Sequence, residues 1–343
     1  MAAPILEIVR ITVTKYFLGA DLGATKTHIL IADENGDVKG FAEGGPGNHE
    51  AVGYDGFQAN LQSTFKEAIK IAGLTADDLS GSGLGVAGYD WPAEREPILA
   101  VINTLNLKGS LELVNDTQLG LLVGSPHGWG VTVVSGTGCN CHGWDATRTR
   151  FGKVTGGGIS CGEFAGASEM VFMTVRMLSY AWTGRGPATE LADAFMKKYN
   201  SPTLDDLMQD ILTQKIELNP VDARLVFQVA AQGDRVALDL IRWAGHELGE
   251  LANTVIKQLH FENEDFDLVL IGSMFDGSPL LTEEMQNTVY PFAPKAQFIR
   301  AEEPPVVGAL LLGMDAAGCK LEGSARLEMI KKLGAGIHSK GKA

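Results

Sequence analysis

The sequence predicts an α/β fold built from two similar halves. Three short apolar segments separated by tight turns open the chain and predict strands, at residues 16–20, 26–33 and 38–42. The same strand–turn–strand–turn–strand order recurs at residues 129–135, 139–144 and 149–154. A chain of 343 residues, 45% of them hydrophobic, is long enough for two such halves. If the halves face each other, their first turns meet at one cleft.

The remaining segments predict alternating helices and strands. In the first half, helices are predicted at 50–72 and 94–105, and strands at 81–87 and 111–114. In the second half, residues 162–260 are predicted to be mostly helical. Strands at 267–271 and 297–299 and helices from Pro279 and over 306–317 complete the chain. We expect a hinge near residue 117 and a loose tail after Gly334.

Composition and charge exclude several functions. The 28 basic and 42 acidic residues give a net charge of −14, and no basic cluster is denser than Lys331-Lys332, so neither nucleic acid nor a membrane surface is an expected partner. Charges interrupt the first 16 residues and no segment reaches the length of a membrane span, so we expect no signal peptide and no membrane helix. Four cysteines are too few for a disulfide scaffold. A cytoplasmic homodimer is expected.

Two turns between predicted strands carry residues suited to binding phosphate. In residues 21–27 (DLGATKT), Gly23 allows close backbone approach, while Thr25 and successive N–H groups can bind phosphate oxygens. Asp21 can hold Mg²⁺ through water, and Lys26 adds positive charge. Residues 135–138 (SGTG) repeat this pattern in the second half. Each turn alone is also compatible with an ordinary hairpin, but two at matching places favour a triphosphate ligand.

Four further positions have both a structural and a functional interpretation. Asp116 follows Asn115 at a predicted strand end and is either the cap of the next helix or a general base for a substrate hydroxyl. Asn48 is either a turn residue or a ligand of a polar substrate. Glu163 is either stabilised by a helix N-terminus or bonded to sugar hydroxyls. The pair Gly272-Ser273 is either a plain strand-to-helix turn or the place where a purine approaches the backbone.

The cysteines suggest a metal site only weakly. Cys139 and Cys141 lie two residues apart, with His142 beside them and Cys161 as a third candidate ligand. Zinc sites more often use two pairs of wider spacing. Alternate residues of a strand share one face, so core packing of Cys139 and Cys141 is favoured.

The ordered set of motifs resembles a known family. The set comprises residues 21–27, 47–48, 85–88, 115–116, 135–138, 156–163 and 272–273. It is similar to the BadF/BadG/BcrA/BcrD ATPase family, and within it to the N-acetylglucosamine kinase-like branch, over roughly residues 15–315. The resemblance implies two RNase H-like domains of the actin/hexokinase/Hsp70 fold around an interdomain ATP cleft. It implies an N-terminal domain at 1–117, with a helix at about 305–330 packing back on it, and a C-terminal domain at 118–304 with a helical insertion.

The same resemblance implies phosphoryl transfer from ATP·Mg²⁺ to a sugar hydroxyl. Nucleotide contacts are then expected from two phosphate loops and one adenosine-facing turn, namely Asp21, Gly23, Ala24, Thr25, Lys26, Ser135, Gly136, Thr137, Gly138, Gly272 and Ser273. Sugar contacts are expected from Asn48, Asn115, Thr137 and Glu163. Asp116 is expected to deprotonate the 6-hydroxyl of N-acetylglucosamine or glucosamine. Asp21 is the expected metal-associated carboxylate.

Departures from the family pattern concern the sugar side. The usual Gly-Asp-Glu-Gly-Ser stretch is replaced by residues 162–167 (GEFAGA), and Cys139 stands where serine is usual. ATP is therefore a firmer expectation than the identity of the sugar. The family also contains iron–sulfur activators of 2-hydroxyacyl-CoA dehydratases and benzoyl-CoA reductases, which are the alternative function. A non-catalytic sugar sensor is disfavoured, because a sensor needs no base at Asp116.

Overall fold

The computed structural model describes residues 14–340. Within that range the strands, in chain order, are β1 Tyr16–Leu22, β2 Thr27–Asp33, β3 Val38–Gly44, β4 Leu79–Val86, β5 Ser110–Asn115, β6 Gly130–Ser135, β7 Cys139–Trp144, β8 Phe151–Lys153, β9 Phe266–Ile271 and β10 Ala296–Arg300. The helices are α1 His49–Ala72, α2 Arg95–Asn103, α3 Asp116–Gly124, α4 Ala167–Thr183, α5 Glu190–Tyr199, α6 Leu204–Leu212, α7 Ala223–Ala230, α8 Arg235–Leu259, α9 Pro279–Val289, α10 Pro305–Ala316 and α11 Gly323–Lys340. None of these helices is long and apolar enough to span a bilayer.

The strands form two five-stranded sheets with the same topology. The first has the order β3-β2-β1-β4-β5, and the second, in the matching direction, has the order β8-β7-β6-β9-β10. In the first sheet, β1 is antiparallel to β2 and parallel to β4. In the second, β6 is antiparallel to β7 and parallel to β9. The repeat predicted from the turns is therefore a repeat of an entire mixed sheet.

The chain divides into two compact units, each with its own sheet and core. One unit contains the chain up to Val114 and from Val306 onward, and the other is Asn115–Pro305. Phe57 and Leu61 of α1 pack into the core of the first unit. In the second unit, the helices α4 to α8 are inserted between β8 and β9, and the buried face of α8 forms much of the core.

Glycines on two strands explain how helix α10 packs against the first sheet. A Cβ at Gly19 of β1 would lie 2.3 Å from the Leu310 nitrogen, and one at Gly83 of β4 would lie 2.2 Å from the Ala309 oxygen. The helix backbone thus rests directly on the sheet, where any side chain would clash. This packing accounts for the glycine-rich sequence of β4, and it attaches α10 to the first unit.

The prediction of a loose tail after Gly334 is wrong. Helix α11 continues through Lys340, with Leu333 and Ile337 buried. Small residues favour coil in an isolated segment, but Gly336 is where the helix meets β3, since a Cβ there would lie 2.5 Å from a Val38 methyl group. The expectation of no signal peptide concerns mainly residues 1–13, which lie outside the described residues.

Candidate active site

The first predicted phosphate loop is an exposed turn between β1 and β2. The backbone N–H of Gly23 donates to the Lys26 carbonyl at 2.9 Å and closes the turn. Ala24 and Thr25 are exposed at its tip, and no acceptor among residues 14–340 pairs with their backbone N–H groups. Gly47 donates to the Gly23 carbonyl at 2.9 Å, which brings the loop before α1 against this turn. Free N–H groups at an exposed turn can bind an anion.

Four titratable side chains next to this turn are linked by short polar contacts, namely Asp21, His28, Glu43 and Lys26. Asp21, 14% exposed at its side chain, lies 3.7 Å from His28 Nδ1. His28 Nε2 lies 3.1 Å from Glu43, which also accepts from the Lys26 ammonium at 2.9 Å. Hydrogen bonding to Asp21 and the charge of Glu43 raise the pKa of His28, and Lys26 and His28 lower the pKa of Glu43. Lys26 is thus held at the rim of the turn by an ion pair that sequence reasoning missed.

Asn48 lies beside the same turn and caps helix α1. Its side-chain oxygen accepts from the Glu50 N–H at 2.8 Å. That oxygen also lies 2.7 Å from the place of a Cβ on Gly88, so Asn48 meets the loop that follows β4. Asn48 is therefore the cap of α1, with an extended backbone (φ −86°, ψ 114°), and not the turn residue that the sequence suggested as its structural role. Its position at the ends of β1 and β4 is also compatible with substrate contact.

The second predicted phosphate loop, between β6 and β7, has the same construction. Gly136 N–H donates to the Gly138 carbonyl at 2.9 Å, and the exposed residues Thr137 and Gly138 have backbone N–H groups with no acceptor among residues 14–340. The start of α4 packs against it, because Ala167 N–H donates to the Gly136 carbonyl at 2.8 Å. The Ser135 hydroxyl is used internally and donates to the Ala165 carbonyl at 2.5 Å. Ser135 thus holds the turn, while Thr137 is exposed at its tip.

Gly272 brings the end of β9 into contact with this turn. Its φ of 107° and ψ of 153° lie in a region that only glycine adopts readily, and a Cβ there would lie 2.1 Å from the Ser135 carbonyl oxygen. Ser273 follows directly and is exposed. The structure therefore brings Gly272 and Ser273 next to residues 135–138.

A cavity of about 450 Å³ lies between these loops and the helical insertion. On one side it is lined by Gly136, Thr137 and Ser273, and on the other by residues of α7 and of the 3₁₀ turn Pro220–Asp222. Arg224 and Gln228 contribute polar groups and Phe227 an aromatic ring. Its size is within the usual range for small-molecule sites, about 300–1,000 Å³. Sequence reasoning missed the α7 residues, because nothing in the helical spacing of that segment distinguishes a pocket wall from an ordinary surface.

Asp116 is the first residue of α3, and Asn115 is the cap of that helix. The Asn115 side chain accepts from the Thr117 N–H at 2.9 Å and is buried. The interpretation of Asp116 as the cap is therefore wrong. Asp116 is half-buried, and one of its oxygens also accepts from the Thr117 N–H at 2.9 Å. It lies two residues after the point at which the chain passes from one unit to the other, and α3 packs against β6 and β7.

Glu163 is a buried carboxylate with one oxygen left unpaired. It is 6% exposed, and Oε1 accepts from Thr155 N–H at 2.6 Å and from the Thr155 hydroxyl at 2.8 Å. Oε2 is buried and has no hydrogen-bond partner among the described residues. The proposed stabilisation of Glu163 by a helix N-terminus is wrong, because α4 begins only at Ala167 and Glu169 is the acid in its first turn. A buried carboxylate oxygen without a donor is costly, which favours an incoming hydroxyl or ammonium group as its partner.

The cysteines do not form a cluster with other ligand types. Cys139 and Cys141 are buried in the core of the second unit, and Cys139 Sγ donates to the Phe164 carbonyl at 2.9 Å. Cys161 is exposed, and all four cysteines are free. Among residues 14–340, no group of three or more His, Cys, Asp or Glu side chains is placed to hold a metal ion. The strand-face prediction of core packing for Cys139 and Cys141 is confirmed.

Burial should make Cys139 and Cys141 much less reactive toward thiol reagents than the exposed Cys161. Burial raises the pKa of Cys139 to about 12 and that of Cys141 well above its ordinary value, so both stay protonated even at pH 9. We expect an aromatic disulfide reagent to modify Cys161 first and to leave Cys139 and Cys141 unmodified until the protein unfolds. Peptide mass spectrometry of the time course measures this. Equal rates at Cys139 and Cys161 would contradict the packing described above.

Comparison with solved structures identifies the fold. A ROK family glucokinase from Streptomyces griseus, solved in complex with glucose and AMPPNP, superposes with a TM-score of 0.58 at 18% identity, over 88% of this chain and 100% of that chain. The fold is the actin/hexokinase/Hsp70 fold of two RNase H-like domains. The predicted fold class is thereby confirmed.

The chain belongs to the BadF/BadG/BcrA/BcrD ATPase family, whose sequence profile matches residues 18–313. It is 26% identical over 315 residues to the N-acetyl-D-glucosamine kinase of Dictyostelium discoideum, covering 88% of this chain and 98% of that protein. It is 23% identical over 300 residues to the N-acetylmuramic acid/N-acetylglucosamine kinase of Clostridium acetobutylicum, covering 87% and 98%. The family predicted from the ordered motifs is therefore confirmed.

Proposed function

We propose that this protein is an ATP-dependent sugar kinase that phosphorylates a hexosamine, with the 6-hydroxyl of N-acetylglucosamine or glucosamine as the acceptor. One observation supports this most strongly. Within the second unit, a turn with free N–H groups forms one wall of a cavity of nucleoside size, and α3, which begins at Asp116, packs against the two strands joined by that turn. Phosphate binding, a nucleoside pocket and a carboxylate base are the parts that phosphoryl transfer to a hydroxyl needs.

In this proposal the two turns bind the phosphates of ATP. Ala24 and Thr25 in the first turn, and Thr137 and Gly138 in the second, offer the backbone N–H groups. Lys26 adds positive charge at the rim of the first turn. The adenosine occupies the cavity beside Ser273. In this proposal the exposed Thr137 also contacts the sugar.

Asp21 fits a role in holding Mg²⁺. Its carboxylate is partly exposed at the end of β1, directly before the first turn. A single carboxylate is enough, because Mg²⁺ retains several waters and takes further oxygens from nucleotide phosphates. When bound, the ion would neutralise charge that develops on the phosphoryl group.

Asp116 acts as the general base in this proposal. Its carboxylate accepts the proton of the sugar 6-hydroxyl as that oxygen attacks the γ-phosphorus, and the bond to the β-phosphate oxygen breaks to release ADP. The hydrogen bond from Thr117 N–H fixes the orientation of the carboxylate. In this proposal Asn115, at the end of β5, and Asn48, the cap of α1, contact the sugar. Glu163 offers its unpaired Oε2 to a ligand hydroxyl or ammonium group.

Replacing Glu163 by glutamine should weaken sugar binding selectively. The amide keeps the shape of the side chain but loses the charged acceptor, and hydrogen bonds to charged groups contribute about 1.5–3 kcal/mol. We therefore expect KM for the sugar to rise roughly 10- to 100-fold while KM for ATP stays nearly unchanged. Steady-state kinetics with each substrate varied in turn measure both values. Asp145→Asn is a matched control, since Asp145 is an equally buried carboxylate held by residues 147–150 away from the turn. An unchanged KM for the sugar in Glu163→Gln would remove Glu163 from the binding site.

The proposed function is tested by ATP-dependent release of ADP from purified protein with Mg²⁺ and a panel of hexoses and hexosamines. Stimulation by N-acetylglucosamine or glucosamine supports the proposal. Slow hydrolysis of ATP that no sugar stimulates would contradict it, and anaerobic iron and sulfide analysis would then test the activator function.

We propose a cytoplasmic location and a homodimer. The four free thiols fit a reducing compartment, and light scattering of the purified protein tests the dimer.

A further inference from the structure

Arg300 lies at the end of β10, and its guanidinium group reaches back across the end of β9. Nη1 donates to the Leu270 carbonyl at 3.0 Å and Nη2 to the Gly272 carbonyl at 3.0 Å. The same group donates to both oxygens of Asp276, at 3.0 and 3.2 Å from Nη2. It also donates to the Ala301 carbonyl at 3.3 Å and lies 5.8 Å from the centre of the Phe275 ring. One side chain thus binds the chain before and after the turn at Gly272.

The segment fixed in this way is one wall of the proposed nucleotide cavity. Ser273, Met274 and Asp276 line the cavity, and Gly272 touches the Ser135 carbonyl at the base of the second phosphate turn. A shift of residues 272–276 would therefore change the width of the cavity and its distance from the phosphate turn together. Arg300 itself is not among the residues that line the cavity.

We infer, on the basis of the proposed ATP-binding function, that Arg300 is a positioning residue for the nucleotide. It sets the affinity for ATP by holding residues 272–276 in place and takes no part in phosphoryl transfer. The ion pair with Asp276 is not the main contribution, because the two side chains are 36% and 67% exposed and exposed ion pairs contribute little. The hydrogen bonds from Arg300 to the Leu270 and Gly272 carbonyls are the contacts that hold residues 272–276 in place and so raise the affinity for ATP. Only the planar fork of arginine makes both at once, so lysine is not a conservative replacement.

The test compares Arg300→Gln, Arg300→Lys and Asp276→Asn with the wild-type chain. Arg242→Gln is the control, because Arg242 forms an exposed ion pair with Asp239 at 3.0 Å in the same unit. The measurements are equilibrium binding of ATP without sugar, KM for ATP, KM for the sugar, kcat and the thermal midpoint. We expect Arg300→Gln to weaken ATP binding about tenfold, and Arg300→Lys and Asp276→Asn to weaken it about threefold, as one or two hydrogen bonds would. For Arg300→Gln and Arg300→Lys, KM for the sugar and kcat should stay within twofold of wild type. For Arg242→Gln, every measured value should stay within twofold.

Several outcomes would overturn this inference. ATP binding by Arg300→Gln equal to wild type would show that Arg300 does not position the wall. An equal rise in both KM values together with a lowered thermal midpoint would show a general structural role. If Arg300→Gln does not fold, Arg300→Lys decides the same question. Unchanged ATP binding by Arg300→Lys would show that the guanidinium group, with its two simultaneous hydrogen bonds, is not required. Failure of the wild-type chain to bind ATP would overturn the proposed function itself, and the role of Arg300 with it.

Discussion

Replacing Asp116 by asparagine is expected to lower kcat by about 10²–10⁴-fold, the usual contribution of a general base. Asparagine keeps the shape of the side chain and can still accept from Thr117 N–H, so helix α3 should remain intact. ATP binding should be nearly unchanged, because the proposed nucleotide contacts lie at other residues. Rapid-quench measurement of sugar phosphate formation, combined with equilibrium ATP binding, separates the two effects.

Asp205→Asn is the matched control for this prediction. Asp205 is also an aspartate in the first turn of a helix of the same unit, α6, and therefore has a similar interaction with the helix dipole. We expect this variant to retain kcat. Near-wild-type turnover by Asp116→Asn, or an equal loss in Asp205→Asn, would remove Asp116 from the catalytic mechanism.

Replacing Gly272 by alanine is expected to have the largest effect on stability. The new Cβ would lie 2.1 Å from the Ser135 carbonyl oxygen and 2.5 Å from its carbon, and backbone atoms cannot move aside as a flexible side chain can. Backbone strain of about 1–3 kcal/mol and overpacking of similar size add, so the free energy of unfolding of the second unit should fall by roughly 2–6 kcal/mol. Urea denaturation followed by tryptophan fluorescence measures this, since four of the five tryptophans, 129, 144, 182 and 243, lie in that unit.

Gly233→Ala separates strain from steric clash. Gly233 has a φ of 94°, but a Cβ there would meet no atom within 4 Å. In Gly233→Ala, we expect the free energy of unfolding to fall only by the cost of backbone strain, and ATP binding to be unchanged. In Gly272→Ala, both the free energy of unfolding and the affinity for ATP should fall. Equal stability of the two variants would show that the approach of Gly272 to Ser135 is not close in solution.

The fold was largely predictable from local sequence signals. Three of the four turns that open the two halves contain glycine or Asn-Gly between apolar runs, and such turns specify antiparallel hairpins with little help from the rest of the chain. Helix α8 was equally predictable, because the apolar spacing of its residues extends over about seven turns. The tail was predicted wrongly, because Gly334 and Gly336 are poor helix formers in isolation and only contact with β3 favours the helix.

Candidate site residues were predictable from the sequence where they stand in tight turns between strands. Glycine in a predicted turn is visible in the sequence: Gly23 and Gly136 lie in tight turns, and Gly272 lies where the backbone approaches Ser135 closely. No local sequence signal identifies three other residues of the site, because their positions depend on how distant elements pack. These are Arg224, Gln228 and Arg300. The sequence also did not determine whether Asn115 or Asp116 caps α3. Both residue types are good caps, and the cap changes if the helix starts one residue earlier or later.

Fold alone does not assign the reaction, so direct detection of the product is the decisive measurement. ATP labelled at the γ-phosphate is incubated with the wild-type chain, Mg²⁺ and N-acetylglucosamine or glucosamine, and the phosphorylated position is determined by phosphorus and proton NMR. The proposal predicts transfer of the label to the 6-oxygen of the sugar with stoichiometric release of ADP. Release of labelled inorganic phosphate with no sugar phosphate, at any sugar concentration, would contradict it.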